Sequence, residues 1–123
     1  MVHLAKMHDG QSVVCTDDIA ESEGIPPSFL AQILHELKRT GLVTSRRGKT
    51  GGWRLTQAPG EIFLLTIVDA LEPEILGQLP VVTGQSDSAT TAVWERVRES
   101  GRSILGGTSL ESLAVSAEPM FYI

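Results

Sequence analysis

The stretch Val43 to Thr56, VTSRRGKTGGWRLT, constrains the fold of this chain more than any other. Two short β-prone runs, Val43–Ser45 and Trp53–Thr56, flank a tip holding Arg46, Arg47, Lys49, Gly48, Gly51 and Gly52. Glycine adopts the positive φ angles of a hairpin tip and lets backbone approach a neighbouring surface closely. The pattern predicts a basic antiparallel hairpin. In isolation such a hairpin reads better as ordinary solvated surface, and the elements before it decide its meaning.

Those elements are helical. Val2–His8 carries weak helical spacing and is too short to stand alone, so it reads as the end of a helix. Asp9–Ser12 is a polar turn, and Val13–Cys15 is a short β-prone run in which Cys15 reads as a small buried hydrophobe. Thr16 is expected to cap a helix over Asp17–Glu23 that buries Ile19 and Ala20 and stops at Gly24. From Pro27 to Thr40, Phe29, Leu30, Ile33, Leu34 and Leu37 form one apolar stripe. Lys38 and Arg39 suit the last turn, and Gly41 ends the helix. Two helices joined by a tight turn and followed by a basic hairpin are the order of a winged helix-turn-helix.

Beyond the hairpin, Gln57–Glu61 turns through Pro59 and Gly60, and Leu64–Leu71 reads as a short helix buried on most sides. Glu74–Ala89 mixes Gly, Pro, Ser and Thr and reads as a linker. A helix starting at Thr90 or Thr91 would place Val93, Trp94, Val97, Ile104 and Leu105 on one side, a stripe suited to a second copy of the chain. Thr108–Glu111 is a capping box for a last helix to Val115, before an apolar tail. The expected architecture is mainly α with a small β-hairpin wing. Its parts are a winged helix-turn-helix domain over 1–73, a linker loop over 74–89, and a dimerisation helix with C-terminal helix and tail over 90–123.

Net charge is −5 over 123 residues, which argues against a nucleic-acid partner only until its distribution is considered. Between His35 and Gln57 six basic residues face one acid, Glu36; elsewhere 10 − 6 = 4 basic residues face 15 − 1 = 14 acids. A local basic patch attracts phosphates whatever the average. No apolar run is long enough to span a bilayer, and the start lacks the basic-then-apolar order of a signal peptide. A single cysteine leaves no internal disulfide framework, and a cytoplasmic setting is expected. No nucleophile, base and metal-ligand constellation suggests an enzyme. Gly48-Lys49-Thr50 resembles the end of a P-loop, but Val43 stands where that motif needs glycine. His3, His8 and His35 lack ligand spacing and read as surface or capping groups.

The segment from Val13 to Glu72, with FLAQIL before the hairpin and RG–GG within it, resembles the bacterial Rrf-type winged-helix regulators typified by IscR, NsrR and CymR. The resemblance implies homodimers on palindromic operators, a recognition helix in the major groove and the wing in the minor groove. It places Ser28, Phe29 and Gln32 at groove-facing positions, and a glutamine there suits an adenine edge. Arg47 matches the wing arginine, while Arg46, Lys49 and Thr50 depart from the usual residues and extend the DNA-binding set toward phosphates. Ala31 stands where many members have Glu, and Phe63 where a capping Thr is usual. Cluster-binding members carry three cysteines after the helix ending near Glu72; Glu74–Ala92 has none, so no cofactor is expected. The N-terminal helix is shorter than in typical members. The expected function is a sequence-specific transcriptional repressor. The alternative is a degenerate winged-helix module for protein–protein contact.

Overall fold

The computed structural model describes residues 1–77 and 87–116. Helix α1 spans Val2–Lys6, α2 Thr16–Glu23 and α3 Pro27–Arg39; strands β1 (Val43–Arg46) and β2 (Gly52–Leu55) follow. A 3-10 turn at Pro59–Glu61 leads to α4 (Leu64–Leu71), α5 (Asp87–Gly106) and α6 (Leu110–Ser116).

Both early helices end as their glycines require. Gly24 and Gly41 take left-handed φ of 64° and 84°. Ile25 N donates to Ala20 O and Leu42 N to Leu37 O, each at 3.0 Å, closing the last turn of each helix. Leu30, Leu34 and Leu37 of α3 are buried with Ile19 and Ala20 of α2, and burying each such leucine is worth about 1.5–3 kcal/mol. Phe29 does not join them: it is 56% exposed, because the helical turn carries it off the stripe toward Ser28 and Gln32.

Strands β1 and β2 pair antiparallel, Val43 opposite Leu55 and Arg46 opposite Gly52. Val14 adds a third, one-residue rung: Val14 N donates to Trp53 O and Trp53 N to Val14 O, both at 2.8 Å. This rung overturns two expectations upstream. Cys15, not Thr16, holds the N-cap position of α2, without a side-chain cap bond, and it is half-buried rather than core. Thr16 is the first helical residue, and its Oγ1 accepts the Trp53 Nε1–H at 3.0 Å. A nearly buried indole needs such a partner, and the Val14 rung delivers it there.

Helix α4 is only half-buried along its apolar side chains, not enclosed. Among the described residues it packs between α3 and α5. Its N-cap, Phe63, makes no side-chain bond. Helix α5 begins at Asp87, three residues before the expected start, so it takes in the end of the expected linker. Gly101 is tolerated because Leu76 lies against it: a Cβ there would come within 3.2 Å of Leu76 Cδ2. Arg102 forks onto Asp69 with two bonds of 3.1 Å and onto Leu76 O at 2.9 Å, fixing α5 on α4.

The C-terminal helix returns to the main core. Leu110 is fully buried, its N donates to Ile62 O at 2.8 Å, and α6 packs on α1. Ser109 caps α6 by accepting from Ser112 N at 3.2 Å, and Ser112, rather than Glu111, reciprocates through its hydroxyl. Leu110 and Ala114 of α6 thus share the core of the winged-helix unit. Most of the expected linker (78–86) and the tail (117–123) lie outside the described residues.

Candidate nucleic-acid interface

The outward side of α3 follows from its inward side. With Leu30, Leu34 and Leu37 buried, Ser28, Phe29, Gln32, His35, Glu36 and Arg39 are exposed, and Ala31 is half-buried. Arg39 reaches back to Glu36 with bonds of 3.0 and 2.9 Å. That pairing holds the Glu36 carboxyl below its ordinary range and raises the Arg39 guanidinium above its own. Among the described residues, the only acid on this stretch is therefore already neutralised.

The wing tip depends on its glycines for different reasons. Gly48 takes φ 106°, a left-handed turn residue. Gly51 and Gly52 need no unusual φ but lack room: a Cβ on Gly51 would lie 2.1 Å from Arg46 O, and one on Gly52 2.4 Å from Val14 O. The paired glycines mark where the wing closes on itself and on the Val14 rung.

The basic side chains divide by partner. Arg54 Nη1 donates to Gly10 O at 2.8 Å and Arg46 Nη2 to Gln11 O at 3.1 Å, so both clamp the loop between α1 and α2. Asp9 organises that loop, accepting from Gln11 N at 2.8 Å and Ser12 N at 2.6 Å. Together with the Ser12 hydroxyl, these donors pull the Asp9 carboxyl down to about 2. Lys38 Nζ donates to Ser45 Oγ at 2.9 Å, linking α3 to β1. Arg47 and Lys49, with Thr50, stay exposed at the tip; neither cation has a hydrogen bond or ion pair among the described residues.

Helix α3 and the wing meet at Trp53. It is 8% exposed, and the His35 ring stands edge-on to it with centroids 5.4 Å apart. Assignment of Trp53 to a strand does not by itself reveal this role. The alternation Trp53 in, Arg54 out, Leu55 in was the available signal.

The other expected contact surface lies on α5. Val93, Trp94, Val97 and Ile104 are each more than half exposed. Leu105 is half-buried and falls, by helical period, on the side of Arg98, Gly101 and Arg102 that faces α4 and Leu76. The expected five-residue stripe is a four-residue exposed stripe.

A helix pair whose second member exposes a polar edge, followed by a basic wing, defines a winged helix-turn-helix DNA-binding protein. The Rrf2 family, described as an iron-dependent transcriptional regulator, matches residues 1–116. Rv1287 of Mycobacterium tuberculosis, a candidate helix-turn-helix regulator by name, is 39% identical over 97% of this chain and 76% of its own length. The solved structure of CymR, the global cysteine regulator of B. subtilis, superposes with a TM-score of 0.82 at 30% identity, covering 95% of this chain and 88% of that one. IscR of T. potens gives 0.77 at 32% identity, covering 95% and 79%. The chain belongs to the Rrf2 family and is a DNA-binding transcriptional regulator. Its relatives are regulators, not enzymes.

The family description names iron. The donor set here does not fit a cysteine-held cluster: the sequence has one cysteine, Cys15. The described residues bring no three His, Cys, Asp or Glu side chains together as a metal site. Among the described residues no helix is long and apolar enough to cross a membrane.

Proposed function

We propose that this chain is a homodimeric repressor that binds a pseudo-palindromic operator in the cytoplasm without an iron–sulfur cluster. In this reading Ser28, Phe29 and Gln32 face the major groove, and Arg47 enters the minor groove, where a narrow groove strengthens the negative potential. Lys49 and Thr50 meet phosphates. Arg46, held to Gln11 O, supports the wing and has further donors left for phosphate. The winged-helix unit reads DNA, and the exposed α5 stripe pairs two copies. The observation that carries the reading is the unpaired Arg47–Lys49 tip on a chain whose positive charge is concentrated between His35 and Gln57.

The test is capture of genomic fragments by the purified protein, then titration of the enriched duplex against a scrambled one. A preference of roughly a thousandfold or more, weakening steeply with salt as counterions are released, is the expected result. Equal affinity for both duplexes would sink the operator reading and favour a protein-contact module. An iron-containing, brown preparation would remove the cluster-free part.

A further inference from the structure

The contact between His35 and Trp53 has no part in the reading above, on which the present inference rests. His35 lies on the outward side of α3, one turn beyond Gln32 and two beyond Ser28, and is exposed. Its ring meets the Trp53 indole edge-on, at 85° between planes and 5.4 Å between centroids. That is within the 4.5–7 Å range in which an edge-to-face pair is attractive. Trp53 is a fixed platform. Both of its backbone groups bond Val14 at 2.8 Å, and its Nε1–H is held by Thr16 Oγ1 at 3.0 Å. Among the described residues the other polar side-chain link from α3 to the wing is Lys38 Nζ to Ser45 Oγ. A lysine reaches along four rotatable methylenes and accepts a range of spacings.

We propose that His35 is a positioning residue for sequence reading: its ring, braced on Trp53, sets the spacing between the recognition helix and the wing without itself touching DNA. A helix in one groove and a wing in the next engage together only at one relative placement. Contacts to base edges tolerate displacement far less than contacts to phosphate. Loosening the brace therefore lowers affinity for the specific site more than affinity for random duplex, whose electrostatic attraction depends on cations that His35 does not touch.

The experiment compares wild type, His35→Ala and His35→Phe by fluorescence anisotropy on the duplex the protein enriches from a randomised pool, and on a scrambled duplex. His35→Ala is expected to weaken the enriched duplex about 2- to 12-fold, which is about 0.5–1.5 kcal/mol converted at 1.4 kcal/mol per tenfold. The scrambled duplex changes less, and the melting temperature falls by no more than about 2–6 °C, since the ring pair is also lost from the free protein. His35→Phe keeps an edge-on ring but has no donor for phosphate, so it restores the affinity. Two outcomes overturn the proposal: His35→Ala binding like wild type, or His35→Phe as weak as His35→Ala, which would make His35 a direct DNA contact. Arg47→Ala on the same duplexes keeps the two levels apart. If it loses affinity while His35→Ala does not, only the brace is wrong. If no duplex is enriched at all, the DNA reading fails and takes the brace with it.

Discussion

Substituting Gly52 by alanine tests the claim that the wing is built on the Val14 rung. The added Cβ would stand 2.4 Å from Val14 O, 2.6 Å from Val14 C and 2.9 Å from Cys15 N. All three are backbone atoms, so no flexible side chain can swing away. The rung must open, losing two bonds of 2.8 Å worth about 0.5–1.5 kcal/mol each, a total of about 1–3 kcal/mol. An unfolding entropy of about 2.1 cal/mol/K per residue over 123 residues is ~0.26 kcal/mol/K, so the melting temperature should fall by about 4–12 °C. Calorimetry with matched DNA titrations is the assay, and DNA affinity should fall together with stability. Gly48→Ala is the contrast: nothing lies within 4 Å of its Cβ, and its cost comes from φ 106° alone, roughly 1 kcal/mol. If Gly52→Ala melts within a degree or so of wild type, the rung is not what holds the wing.

Arg47→Ala should weaken operator binding by about 1–3 kcal/mol and leave stability within ~0.5 kcal/mol, since Arg47 has no partner in the described fold. Unchanged affinity in the titration would remove its reading role. Val97→Asp puts a charge in the exposed α5 stripe beside Val93 and Trp94, and sedimentation should show dimers giving way to monomers. A dimer that persists unchanged would place the interface elsewhere. Asp9 should titrate by NMR near 2 instead of near its ordinary 3.8. Because the folded value is depressed, its contribution to the 9–12 loop is complete above about 3.8 and is lost as pH falls through about 2. A midpoint near 4 would mean the loop bonds do not form in solution.

Local chemistry makes much of this molecule legible in its sequence. Gly24 and Gly41 end their helices at the expected positions because only glycine takes the left-handed angle cheaply. The stripe of Leu30, Leu34 and Leu37 is core because helical period forces those side chains to one side. The hairpin lies where its glycines and β-prone runs put it, its strands within a residue of the expected bounds. The N-cap of α2 is Cys15 and not the Thr16 that local sequence offers, because no local pattern shows Trp53 engaging the Thr16 hydroxyl. The exposed α5 stripe is one residue shorter than apolar spacing implies for the same kind of reason: Leu105 is apolar, and only packing tells which apolar residue faces inward.

By itself, the sequence determined the order of elements, where each helix stops and where positive charge gathers. These depend on backbone angles, side-chain period and composition, all local. Tertiary structure decided which charges are free. Arg46 and Arg54 are as basic as Arg47, yet they clamp the carbonyls of Gln11 and Gly10, 35 and 44 residues away, and leave Arg47 and Lys49 as the unengaged cations of the tip. A hydrogen bond between residues so far apart exists only once α1, α2 and the wing have closed on a common core, and no local pattern encodes it.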